Sequence, residues 1–213
     1  NMRTVHFIPQ ESRRKRIASE TIEIYAPLAG RLGMHEFKDE LEDLSFQILN
    51  PSAYSSISNR IEYLKKDTSN LTEKIKEKIS LLLEKNEISN EIVGREKKIY
   101  SVWNKMQNKQ IAFRQLSDIF AYRILADTVN DCYAILGVIH NRWPAVPGTF
   151  KDYISTPKIN NYQSVHTTIV GPERQRVELQ IRTKEMDTIA DRGIAAHWSY
   201  KENYNLVDNS SSD

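Results

Sequence analysis

The sequence predicts an α+β protein: a mixed β-sheet flanked by helices, preceded by an all-helical connector. Three observations predict it. Apolar residues recur at three- and four-residue spacing through the first third of the chain. After Asn86 the character changes to short β-rich runs separated by helically spaced stretches. The order strand–helix–strand–helix–strand–strand–helix then mixes crossover and hairpin connections, which gives a mixed sheet.

Each element follows in order. Ile17, Thr21, Ile24 and Leu28 fall at i, i+4, i+7 and i+11, one face of a helix that Gly30 and Gly33 punctuate. Phe37, Leu41, Leu44 and Ile48 repeat the pattern, and Pro51 is expected to stop it. Ile57, Ile61 and Leu64 continue, then Leu71, Ile75, Ile79 and Leu82; Thr68-Ser69-Asn70 between them either caps a second helix or rides on one long one. Ile92-Val93 reads as a strand ending at Gly94, and Ile99, Val102, Trp103 and Met106 as a helix. A strand is predicted over 119–126 and a helix over 134–143. Strands over 163–170 and 176–183 are joined at Gly171-Pro172, and a closing helix runs over 183–200. The expected division is a helical connector over 1–87, a second unit over 88–200 and a disordered polar tail over 201–213.

Composition excludes several classes. The chain has 213 residues and a net charge of +2, which argues against a protein that holds nucleic acid by bulk charge. The basic run Arg13 to Arg16 suggests RNA contact, but a solvated helix turn is the preferred reading. With 39% hydrophobic and 27% charged residues it is not a disordered chain. A single cysteine, Cys132, closes no intramolecular disulfide and points to a reducing, cytoplasmic setting, with the side chain in the core. The longest apolar run, 134–139, is too short to span a bilayer, and the start shows no secretory leader. The opening Asn1-Met2 reads as the inside of a longer reading frame. Neither G-x-x-x-x-G-K-[ST], G-x-G-x-x-G nor H-E-x-x-H occurs, so a P-loop, a dinucleotide fingerprint and a zinc site are not expected.

Three constellations carry polar chemistry. The run 176–182 alternates strictly, sending Val177, Leu179 and Ile181 one way and Glu178, Gln180 and Arg182 the other. That polar face is read equally well as a solvent face or as a site. Asp118, at the head of the 119–126 run, would supply a second carboxylate beside Glu178, which suits Mg²⁺ with its preference for hard oxygen ligands and substrate phosphates. Gly94-Arg95-Glu96-Lys97-Lys98 lies at a strand-to-helix junction, where cations and free N–H groups favour anions, although a solvated basic turn has the same composition. The segment 151–166 combines Lys151, Lys158, Asn160, Asn161, Tyr162 and His166: cations for phosphates, amides for a base edge and a ring to stack on. Singly, Tyr162 and His166 also read as ordinary strand residues. His197 and Trp198 read as structural.

These segments together resemble the RelA/SpoT family of (p)ppGpp synthetases. The resemblance runs through 94–101, Asp118 with Tyr122-Arg123, 150–153, Pro157-Lys158, 162–167, 178–183 and 193–198, in the family's order. Residues 23–29 and 31–34 match the stretch joining the family's hydrolase and synthetase domains. The resemblance implies a nucleotidyltransferase-like sheet and transfer of the β,γ-diphosphate of ATP to the ribose 3′-hydroxyl of GDP or GTP, in the stringent response. Carried over position by position, Asp118 and Glu178 resemble the catalytic, Mg²⁺-holding acids. Arg95, Lys97, Ser101 and Lys105 resemble the ATP contacts. Lys151, Lys158, Asn160, Tyr162, His166 and Gln180 resemble the GDP/GTP pocket. Thr149, Asn161, Asp187 and Asp191 depart from the family's pattern, so a synthetase fold that binds nucleotide or a partner without turnover is the alternative. The chain starts after the family's hydrolase centre, so no hydrolase activity is expected of it.

Overall fold

In the computed structural model, which describes residues 2–95, 98–109 and 120–192, the first helix is not continuous. α1 (Glu11–Glu20) passes into a wide π turn at Thr21–Tyr25, where the Ala26 N–H donates to the Thr21 carbonyl, and resumes as α2 (Ala26–Arg31). Pro27 explains the widening, because it has no N–H to give and its ring clashes with the carbonyl four residues back. The extra residue rotates the helix face. Ile24 and Leu28 are consequently 55% and 49% exposed, which corrects the predicted face at those two positions; Thr21 is buried as expected, together with Ala18, Ala26 and Ala29. The basic run is partly engaged locally: Arg14 Nη1 donates to the Ile8 carbonyl at 2.7 Å, and Lys15 pairs with Glu11 at 2.8 Å.

Gly33 takes a left-handed φ of 78° after α2, and α3 (His35–Leu49) follows. Pro51 does more than stop α3. It occupies the first turn of α4 (Pro51–Asp67), where its missing N–H would be unpaired in any case. α4 and α5 (Ser69–Glu84) are separate helices, and the Thr68 hydroxyl between them caps neither, donating back to the Leu64 carbonyl at 2.7 Å.

Among the described residues five strands form one sheet: β1 (Glu91–Gly94), β2 (Phe120–Ala126), β3 (Lys151–Asp152), β4 (Val165–Val170) and β5 (Arg176–Thr183), in the order β1-β2-β5-β4-β3. β2 and β5 run parallel and every other pair antiparallel, the mixed sheet expected. β3 was not predicted, since two residues show no period. α6 (Ile99–Lys109) follows β1, α7 (Val129–Arg142) follows β2, and α8 (Lys184–Arg192) follows β5. At the β4–β5 turn Gly171 is closely packed: a Cβ there would crowd the side chains of Ile169 and Val177 at 3.2 Å.

α7 starts five residues before the predicted helix because Thr128 and Asp131 form a capping box. The Asp131 N–H donates to the Thr128 hydroxyl, and the Thr128 N–H to the Asp131 carboxylate, both at 3.1 Å. Thr128→Ala is expected to cost about 1 kcal/mol, read as a lower denaturation midpoint at unchanged slope.

The main core lies on one side of the sheet, where Ile75, Ile79 and Leu83 of α5 and Ile135 and Ile139 of α7 meet Ile124, Val177, Leu179 and Ile181. Cys132 is buried there as predicted, its thiol pushed up to about 11 mainly by burial. Phe46, Ile57 and Val102 form a smaller cluster that docks α3 and α4 on α6. No helix among the described residues is long and apolar enough to cross a membrane.

Candidate functional site

β5 organises the site. Val177, Leu179 and Ile181 are fully buried in the core, so Glu178, Gln180 and Arg182 emerge on the opposite face. That face is not a solvent face. Gln180 is 5% and Arg182 2% exposed, and α8 lays Asp187 against Arg182 on this side of β5. The register places neighbours in rows. Lys151, His166, Gln180 and Arg123 stand side by side from β3, β4, β5 and β2, and Thr168, Glu178 and Ala121 form the next row.

Arg95 enters from the end of β1. Its backbone N–H donates to the Ala121 carbonyl at 2.8 Å, and its guanidinium Nη1 lies 3.2 Å from Glu178 Oε1. The β1–β2 pairing thus delivers a cation to the carboxylate of β5, two strands away. Ser101 and Lys105 lie one turn apart on α6, Ser101 exposed and Lys105 half-buried. Asp118 and Lys97 lie outside the described residues, as do His197, Trp198 and the predicted tail.

The segment before β4 folds onto the same region. Asn161 takes a left-handed φ of 57°, which Asn tolerates better than most residues. This closes a tight loop in which the Asn161 N–H donates to the Lys158 carbonyl at 2.8 Å and the Lys158 N–H to the Tyr162 carbonyl at 3.2 Å. Tyr162 is bordered edge-on by Tyr153 and His166, and its hydroxyl is 2.8 Å from His166 Nε2. Lys158 Nζ lies 4.6 Å and 4.9 Å from the ring centroids of Tyr153 and Tyr162. At the loop tip Ile159 is fully exposed.

Burial, and then the charges of Lys158, Arg95 and Arg182, push His166 down to about 4, so its ring is neutral at pH 7. The folded state therefore resists a proton that the unfolded chain accepts near 6.5. The resulting stability is complete above that value and is lost as pH falls from about 6.5 towards about 4. Denaturation midpoints measured across this window should fall for the wild type and flatten in His166→Gln.

Sequence reasoning missed two sets of contacts. The connector supplies the first: Asn160 Nδ2 donates to the Gly30 carbonyl at 3.1 Å and lies 3.3 Å from His35 Nε2, while the His35 ring meets Tyr162 edge-on at 5.3 Å. No local pattern reports a contact across some 130 positions. The second is a charge network beneath the loop. Asp187 of α8 pairs with Arg182 and, at 2.9 Å, with Arg123, while Asp191 lies 3.7 Å from Arg123. Burial and the nearby Asp187 raise Asp191 above the usual carboxylate range. The i,i+4 spacing of these acids, and the parity of Arg182 with Glu178, were the available signals.

A mixed sheet that gathers a carboxylate, an amide, a neutral imidazole, edge-packed aromatic rings and several cations on one face defines a phosphate-compatible, base-accommodating site. The chain belongs to the RelA/SpoT family: the model described as "Region found in RelA / SpoT proteins" matches residues 94–205. Over 202 residues it is 53% identical to the GTP pyrophosphokinase rsh of Brucella melitensis, covering 95% of this chain and 27% of that protein. It is 47% identical to the GTP pyrophosphokinase of Myxococcus xanthus over the same shares. The chain thus spans about a quarter of the length of these relatives. A solved likeness is the small alarmone synthetase 1 of Bacillus subtilis bound to its product pppGpp. It is 24% identical and covers 70% of this chain and 83% of that one, with a TM-score of 0.47.

Proposed function

We propose that the sheet face is a (p)ppGpp synthetase site that moves the β,γ-diphosphate of ATP to the 3′-hydroxyl of GDP or GTP, in the cytoplasm and as part of the stringent response. The observation that carries this reading is the convergence of Arg95, Glu178, Gln180, His166, Lys158 and Tyr162 from distant segments onto one face. Family membership and the names of the long relatives support it.

In this reading the acceptor 3′-oxygen forms a bond to the β-phosphorus of ATP, the bond from that phosphorus to the α,β-bridging oxygen breaks, and AMP leaves. Glu178 orients the hydroxyl and takes its proton, a role suited to a half-buried carboxylate. Arg95, with Lys97, Ser101 and Lys105, binds the ATP phosphates, and the Arg95 contact keeps the Glu178 carboxylate aimed across the sheet. Lys151 and Lys158 meet the acceptor phosphates, Tyr162 stacks on guanine, and Asn160, His166 and Gln180 line the pocket. Asp118 and Glu178 would hold Mg²⁺. The oxygen donors and half-burial of Glu178 suit that ion, which supplies charge neutralisation of the transferred phosphates.

The test is turnover of labelled ATP with GDP and GTP in parallel, with Mg²⁺. Guanosine tetra- and pentaphosphate are the expected products, and their absence from correctly folded protein overturns the proposal. Tyr162→Ala should raise KM for the acceptor about tenfold while leaving KM for ATP unchanged, in line with the loss of one stacking contact.

A further inference from the structure

The site above lies on the α8 side of the sheet. A second concavity opens on the opposite side, between α5, the end of α7 and the β4–β5 turn. It is a cleft of about 860 Å³ whose lining includes Lys78, Lys85, Arg142 and Arg174 around Leu81 and Trp143. Glu173 is the one acid in that lining, and it is paired to Lys78. Three cations are left over, more than the whole chain's net charge of +2. The Arg142 guanidinium sits 5.8 Å from the centroid of the Trp143 ring, which is itself packed against the core.

The turn at the rim is strained. The Gln175 N–H donates to the Pro172 carbonyl at 3.1 Å, and the two residues between them, Glu173 and Arg174, take φ of 56° and 58°. Asn-Gly satisfies such a turn without strain. Here the chain places an acid and a cation instead, setting Glu173 on Lys78 and Arg174 in the cleft wall.

We propose that this cleft is a second ligand site that takes a nucleoside polyphosphate, with its phosphates on Lys85, Arg142 and Arg174 and its base against Trp143 and Leu81. The cleft's size is that of a small-ligand pocket, and its flat apolar wall with cations at the rim matches a base carrying phosphates. The near-neutral charge of the chain favours a compact anion over an extended polyanion. The proposal does not depend on the synthetase reading of the other face.

Calorimetric titration with GTP and with inorganic tripolyphosphate tests it. The titration uses the 213-residue chain carrying Arg95→Ala and Tyr162→Ala, which weaken the sheet-face site, so that the cleft's share of GTP binding is read from the added cleft substitutions. Residual GTP binding is expected, weakened at least about tenfold by adding Arg174→Gly or Arg142→Gln, as for loss of a charge-assisted contact. Arg174→Gly also relieves the left-handed strain, so it should raise the thermal midpoint while binding falls, which separates lost binding from misfolding. In the otherwise wild-type chain, Arg174→Gly should leave turnover at saturating substrate unchanged. Tripolyphosphate should bind more weakly than GTP. Absence of residual GTP binding, insensitivity to both substitutions, equal binding of tripolyphosphate, or tighter binding of a single-stranded RNA than of GTP would each overturn the proposal.

Discussion

Glu178→Gln is expected to cut diphosphate transfer at least about a hundredfold while leaving the fold intact. The substitution preserves shape and keeps an oxygen facing Arg95 Nη1, now 3.2 Å from the carboxylate. It removes the negative charge and the basicity that the proposed chemistry uses. The pair is partly exposed, with side-chain accessibilities of 42% and 25%, so screening keeps its share of stability small and the fold should survive. Turnover of labelled ATP measured beside far-UV circular dichroism separates the two effects. Native-like spectra with turnover within tenfold of the wild type would remove Glu178 from the chemistry.

Arg182→Met is expected to destabilise the fold by about 3 kcal/mol, the low end for breaking a buried ion pair. The Arg182 side chain is 2% exposed, and Asp187, its partner, is 17% exposed. The substitution leaves Asp187 and Asp191 against Arg123 alone. Arg182 also lies 5.8 Å from the Tyr162 ring centroid, so the same change removes a support of the acceptor loop. Adding Asp187→Leu should restore most of the stability, because the uncompensated carboxylate disappears with it. Chemical denaturation of both variants checks this, and a loss below about 1 kcal/mol for Arg182→Met would show that the network holds nothing together.

Much of the fold was legible because its signals are local. β1 falls at the short apolar run before Gly94, and β5 and α6 fall where period-two and helical spacing place them. The failures were also local in cause. Pro27 rotates a helix face by forcing a wider turn, and Thr128 with Asp131 starts α7 early through a cap that apolar spacing does not report. In the site, the alternation of 176–182 separated Glu178, Gln180 and Arg182 from the core residues, but it left open whether that face met water. The burial of Gln180 and Arg182, with Asp187 of α8 against Arg182, settled that point.

The sequence by itself determined the class of fold, the polar edge of β5 and membership of a family, since these rest on residue types at fixed spacing along the chain. Only the tertiary structure decided that Arg95 faces Glu178, that Gly30 and His35 of the connector hold Asn160 and Tyr162, and that Asp187 pairs with Arg123 and Arg182. Those contacts join positions up to 130 residues apart. They depend on strand register and helix docking, which sum many weak packing terms over the whole molecule and leave no periodic trace in the sequence.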